Sequence, residues 1–203
     1  MIPPAPSTAA RGLDAPDETL LSPGRCFSRT ELRAMSLDGV LAPIFADAYT
    51  QASQPHTPAL RARAVALALP ANLADRAVIG RLSAAWIYGC SAAPARISLL
   101  IDVGHRVAAL RPWSGCILHE VSLGRFDAVS LAGTPVTTPL RTAVDLALHL
   151  DAASCLPALR AISRDASLGC PLGLIRQALE ASHRIPHKGA ALERIRALMD
   201  EAG

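Results

Sequence analysis

The chain has 203 residues, of which 51% are hydrophobic and 18% charged, with a formal net charge of +3. Such a chain can bury a core, which excludes global disorder. So small a charge does not by itself imply a nucleic-acid partner. Aromatic residues make up only 3%, so the core has to be built from Ala, Leu, Val and Ile. The surface is correspondingly short of charge, as an apolar partner-binding patch or simple Ala enrichment would make it. All but one of the 20 basic residues are Arg, Lys188 being the exception. Arg suits bidentate contacts, but the accompanying Ala, Pro and Gly point first to a GC-rich genome.

Residues 1–24 read as a disordered leader with no apolar signal core. Ser28 and Glu31 form a capping box that starts a short helix, with Phe27 placed to staple against Leu32. Asp38-Gly39 ends it in a turn. Val40 to Tyr49 reads as a hairpin of two short strands, apolar at 41, 44 and 45, broken near Pro43 or Asp47. Residues 50–58 are a linker by composition and the best domain boundary. Pro58 opens a helix to about Leu69, with Leu60, Ala64, Leu67 and Ala68 on its inner face and Arg61 and Arg63 beside it. The apolar run from Val65 to Leu73 is too short to span a bilayer.

A helix over Arg81–Tyr88 should close at Gly89. Ile97–Val103 reads as a buried strand and Cys116–Val121 as a second, separated by a loop with strand character at Val107–Leu110. Ala128–Leu131 and Thr134–Val136 make a hairpin around Gly133. Thr138 caps a helix with Pro139 at its first position, running to Leu150 with a stripe of Leu140, Val144 and Leu148. Three further helices are expected: one over Ala153–Asp165, one from Pro171 carrying Leu172, Ile175 and Leu179 inward, and a last one using Leu192, Ile195 and Met199 after a break at Pro186–Gly189.

No HExxH, P-loop, GxGxxG or GxSxG pattern occurs. Asp102 has no acidic neighbour that would help it hold a catalytic metal. The chain therefore reads as a non-enzyme with neither cofactor nor metal. Five Cys without a CxxC pair suit a reduced cytoplasmic compartment, each thiol being structural and buried. Asp102, His105 and His119 could converge on a metal, but read first as strand-end hydrogen-bonding groups. Asp127 near Thr134 and Thr137 reads as turn stabilisation. Arg25, Arg29 and Arg33 surround the first helix and form a candidate DNA contact. His183, Arg184, His187, Lys188, Arg194 and Arg196 form a basic neighbourhood, either a partner surface or cations placed at helix C-termini. Trp86 and Tyr88 are candidates for core or interface anchors. Arg141 and Asp145 have the spacing of a helical ion pair.

Three of these stretches, taken together, resemble the AbiEi-like antitoxins of type IV toxin–antitoxin systems, closest to an actinobacterial, mycobacterium-like branch. Asp38-Gly39-Val40-Leu41 followed by Phe45 to Tyr49 resembles their wing. Ser83-Ala84-Ala85-Trp86 with Tyr88-Gly89 resembles a second segment. Gly133-Thr134-Pro135-Val136-Thr137-Thr138-Pro139 with Arg141-Thr142-Ala143-Val144-Asp145-Leu146 is similar to the third and most specific one. The matches span residues 27 to 160. The resemblance implies an α+β chain: a shortened winged-helix-like region over 25–52, then an α+β antitoxin domain over 59–203 with a helical C-terminal third. It also implies neutralisation of a nucleotidyltransferase-like toxin and, through the first region, autoregulation on operator DNA; a DNA-binding repressor without direct toxin binding is the alternative. Where the family places a recognition helix before the wing, this chain has one helix and then the wing, and Asp47 stands where Arg is usual. No membrane partner is expected, and oligomeric state is left open.

Overall fold

The computed structural model describes residues 20–24, 26–74, 76–104, 114–182 and 185–201. Arg25, His105, His183 and Arg184, the Val107–Leu110 segment and most of the leader lie outside the described residues. The first helix, α1 (Arg29–Leu37), is built as its capping box requires: Ser28 accepts from the Glu31 amide, and the Glu31 carboxylate accepts from Ser28 in return. Those hydrogen bonds hold the Glu31 carboxyl below its usual range. Asp38 ends α1, and Gly39 takes the left-handed φ of 75° that the turn into the next strand needs. Strands β1 (Leu41–Phe45) and β2 (Ala48–Gln51) pair antiparallel, with the break in register between Pro43 and Phe45. One face of this hairpin joins Leu32 in a small cluster of Leu32, Leu41 and Tyr49, on which Phe27 and Met35 pack. The other face gives Ile44 and Ala48 to the main core.

Helix α2 (Pro58–Ala68) is capped by Thr57. Its buried residues are Leu60, Ala62, Ala64 and Val65, while Leu67 is largely exposed. This corrects the expected inner face. The helix is apolar around most of its circumference, so the sequence period selects no side; contact with β1, α3 and the later hairpin selects it instead.

The main sheet has the order β5-β4-β3-β7-β6. Its members are β3 (Val78–Ile79), β4 (Ile97–Asp102), β5 (Cys116–Val121), β6 (Ala128–Leu131) and β7 (Thr134–Thr137). The central strand β3 was not expected from the sequence. It is only two residues long, yet it pairs antiparallel with β4 and parallel with β7. Too short to show alternation, it is fixed wholly by its neighbours. The tight turn joining β6 to β7 is Ala132-Gly133, both at positive φ (47° and 81°), as a two-residue hairpin turn demands.

The helices α3 (Arg81–Ile87), α4 (Pro139–His149), α5 (Ala152–Arg164), α6 (Leu172–Ala181) and α7 (Lys188–Asp200) complete the chain, with a 3-10 turn at Ala166–Leu168 before α6. One large cluster runs from the sheet through all of them and includes Ile79, Leu99, Val136, Leu146, Leu159, Ile175 and Ile195. Helix α7 starts at Lys188, inside the expected break, and its inward residues are Ala191, Ile195 and Leu198, with Leu192 and Met199 only partly buried. The architecture is therefore α+β, a five-stranded mixed sheet with a helical C-terminal third. Among the described residues no helix is long and apolar enough to cross a membrane.

Candidate functional site

The segment Gly133 to Leu146 folds as strand, cap and helix. Thr138 accepts from the Arg141 amide and Pro139 occupies the first turn of α4. Just before the cap, Thr137 Oγ1 and Thr142 Oγ1 lie 2.7 Å apart in a buried hydrogen bond. Tyr88, at the end of α3, donates its hydroxyl to the Thr137 carbonyl at 2.7 Å. Burial pushes that phenol up to about 12, so it stays a donor at any ordinary pH. Pro135 sits in β7 opposite Ser130.

Arg141 is the hub of the segment. Its Nε donates to Asp145 Oδ1 at 3.0 Å, one helical turn on, and its Nη1 donates to Asp127 Oδ2 at 2.6 Å and to the Ser122 carbonyl at 3.1 Å. The expected pair with Asp145 is present. Asp127 is an addition that sequence spacing did not reveal, and it also accepts from the Gly124 amide at 2.7 Å. The side chain of Asp145 is only 4% exposed. Burial raises its pKa and outweighs the opposing guanidinium of Arg141. Its second oxygen, Oδ2, is buried without a hydrogen bond.

The expected stripe of α4 is misplaced in part. Ala143, Leu146 and Ala147 face the core, while Leu140 and Val144 are half-buried. They line an open groove of about 480 Å³ together with Leu148, Ile185, Arg141 and Asp145. At its edge stands Phe126, which is 82% exposed and carries the guanidinium of Arg125 5.7 Å from its ring centre. The helix is covered on one side by the core and on the other opens on this groove, which is why its apolar stripe looked like a core stripe in the sequence.

The other motif residues hold the scaffold. Ser83 Oγ accepts from the Ser98 amide at 2.9 Å, tying α3 to β4. Trp86 is buried in the main core, its ring 5.2 Å from that of Phe45. Arg61 lies over it at 5.5 Å and donates to the Trp86 carbonyl at 2.8 Å, so it caps the end of α3. Gly89 takes a φ of 83° there. Tyr49 is buried and bridges Leu21.

The basic candidates divide between the alternatives read from the sequence. Arg29 is paired to Asp47 at 2.6 Å, so one positive charge on α1 is already matched, while Arg33 is exposed. Lys188 Nζ donates to the carbonyls of Glu180 and Ser182, the last turn of α6. Arg194 Nη1 donates to the Ala147 carbonyl of α4 at 2.6 Å. Both cations therefore cap helix C-termini; Arg196 remains exposed. Of the cysteines, Cys26 is exposed, contrary to expectation, and the other four are buried. Burial raises the thiols of Cys90, Cys116 and Cys155, and that of Cys170 to about 11, which keeps them protonated and poorly nucleophilic.

Asp102 Oδ1 accepts from the Leu123 amide at 3.1 Å, the strand-end bond expected of it. His119 pairs across the sheet with Leu100. It responds to Arg81 and His149, and burial first, then those two groups, lowers its pKa to about 4. Among the described residues no group of three His, Cys, Asp or Glu side chains is arranged to hold a metal ion.

No family model matches the chain. No curated protein matches it either. Among solved structures it is similar to the crystal structure of the RV2827C protein from Mycobacterium tuberculosis, at 17% identity and a TM-score of 0.44. The likeness covers 86% of this chain, which spans 65% of the length of that one.

Proposed function

We propose that this chain is an antitoxin-like protein that works by binding a protein partner, a nucleotidyltransferase-like toxin, through the groove beside α4. One observation carries the reading: the segment with the most specific resemblance to AbiEi-like antitoxins supplies Leu140, Val144, Arg141 and Asp145 to an open apolar groove edged by an exposed Phe126. Exposed apolar surface with a polar border is the usual make-up of a docking patch. The Arg141 network holds the Ser122–Asp127 connection against α4, so the groove is pre-shaped rather than formed on contact.

The alternative, a repressor acting on operator DNA, has less support. Arg29 is matched by Asp47, and a single helix, α1, leads straight into the β1–β2 hairpin.

Co-expression with the product of the neighbouring gene tests the first reading. The neighbour is expected to arrest growth alone, with growth restored and a complex recovered when this chain is present. Val144→Arg, which fills the groove from a half-buried position, should abolish rescue while the protein stays folded. A toxic neighbour that is neither bound nor neutralised sinks the proposal. A gel shift with the upstream region tests the repressor separately, and no shift at low salt ends it.

A further inference from the structure

The groove beside α4 carries more negative charge than its one guanidinium balances. Four ionisable residues line it: Asp127, Arg141, Asp145 and His149. Arg141 is shared between the two carboxylates, with Nε on Asp145 Oδ1 at 3.0 Å and Nη1 on Asp127 Oδ2 at 2.6 Å. His149 adds little positive charge at neutral pH, since burial and then Arg81 hold its imidazole below the usual histidine range. Asp145 is 4% exposed and its Oδ2 has no hydrogen bond, so hydrogen bonds within the chain meet only half of that carboxylate.

The two carboxylates are not equally reachable. Asp145 is a buried part of the lining, whereas the side chain of Asp127 is 28% exposed. Both donors that reach Asp127, the Gly124 amide at 2.7 Å and Arg141 Nη1, fall on Oδ2. Among the described residues this leaves Asp127 Oδ1 as the acceptor that the groove offers to an incoming group. Much of the remaining lining is aliphatic. Leu140, Val144 and Leu148 stand at intervals of four along α4, a run of about 12 Å. Phe126 at the edge already has the guanidinium of Arg125 5.7 Å from its ring centre, the contact that an aromatic face makes with a cation.

We infer that the partner places a lysine side chain in this groove, its ammonium on Asp127 Oδ1 and its methylene stem along Leu140 and Val144. The inference rests on the partner reading given above. A flexible aliphatic stem with a charged tip suits an apolar wall that has a carboxylate at its rim. Lysine fits better than arginine, because a guanidinium pairs most strongly with both oxygens of a carboxylate and Oδ2 of Asp127 is already taken. An acidic side chain would meet two carboxylates against one guanidinium. A wholly apolar one would cut Asp127 Oδ1 off from water with nothing in its place.

The probe is n-butylammonium, which reproduces the end of a lysine side chain; n-butanol, butyrate and n-butylguanidinium are compared with it at matched ionic strength. Methyl resonances of Leu140, Val144 and Leu148 are followed by NMR on the full chain. Saturable shifts are expected, with n-butylammonium bound about fivefold more tightly than n-butanol and butyrate weakest. Asp127→Asn keeps the shape of the side chain and should lose that preference at an unchanged melting temperature. The same variant should weaken a complex with the neighbouring gene product at least about fivefold. If it does not fold, salt replaces it: raising sodium chloride from about 50 mM to about 500 mM should weaken n-butylammonium and leave n-butanol unchanged. Equal affinity for the ammonium and the alcohol, preference for butyrate or the guanidinium, an equal salt response, or wild-type binding by a folded Asp127→Asn overturns the inference. Failure of the partner reading looks different. The neighbour then does not bind, while the n-butylammonium preference and its loss in Asp127→Asn remain, which still supports an ammonium in the groove.

Discussion

Tyr88 shows how much one atom can hold in this protein. Its hydroxyl donates to the Thr137 carbonyl at the point where β7 turns into α4, a carbonyl that Thr142 Oγ1 also reaches at 3.3 Å. Tyr88→Phe keeps the ring and removes the shorter of the two bonds. A loss of about 1 kcal/mol is expected, read as a lower urea midpoint with unchanged m-value. Ala132 is the opposite case. It sits at a φ of 47° in the β6–β7 turn, next to Gly133, and an Ala there bears strain that Gly or Asn does not. Ala132→Gly should raise stability by about 0.5–1 kcal/mol in the same measurement. The first bond was not legible from the sequence, since a phenol reaching a carbonyl 49 residues away leaves no local trace. The turn was legible, since Gly133 between two β-forming runs marks it.

At the scale of elements, local signals were reliable wherever a cap or turn residue fixed a boundary. Ser28, Thr57 and Thr138 each start a helix in the place their neighbours suggest. Faces were read less well. Leu67 on α2 is exposed, and Leu140 and Val144 on α4 are only partly buried at the margin of the core, because only tertiary contact decides how far each apolar side is covered. The same holds for charge. Arg141 and Asp145 were visible as a pair at helical spacing, whereas Asp127 arrives from a loop that no periodicity describes. Arg141→Ala would leave Asp145 buried with neither oxygen bonded and is expected to cost about 3 kcal/mol. Arg141→Met with Asp145→Leu should recover much of that loss, since removing both charges also removes the cost of burying them. Recovery of no stability in the double variant would show that the network contributes more than its ion pairs.

For the whole molecule, acid response follows from the half-buried His119. His119 titrates at about 4 in the folded chain against 6.5 for the free side chain, so the unfolded chain binds the proton more readily. Its contribution to stability is complete above about pH 6.5 and is lost as pH falls toward about 4. Asp145 acts in the other sense, because its raised pKa means the folded form gains a proton first on the way down; its effect opposes that of His119. Thermal unfolding from pH 7 to pH 5 should therefore show a fall in melting temperature that His119→Gln reduces. An identical pH slope in that variant would remove His119 as the cause. The fold class was within reach of the sequence, because caps, turns and strand runs alternate clearly. The sheet order was not, because its middle strand is the dipeptide Val78-Ile79, held in place by residues 97–102 on one side and 134–137 on the other.

That dipeptide also sets a timetable for synthesis. A chain leaving the ribosome can pair β3 with β4 once residue 102 has emerged, but the second edge of β3 has no partner until β7 follows. Until then Ile79, fully buried in the finished protein, belongs to a sheet that is open at its centre rather than its rim. The β6–β7 hairpin can form early and locally, as short turns do, and then has to dock as a unit against a strand translated more than fifty residues before it. Closure of the sheet is thus a long-range event late in elongation, and chains stopped between β4 and β7 are the ones a protease or chaperone would meet with that middle edge bare.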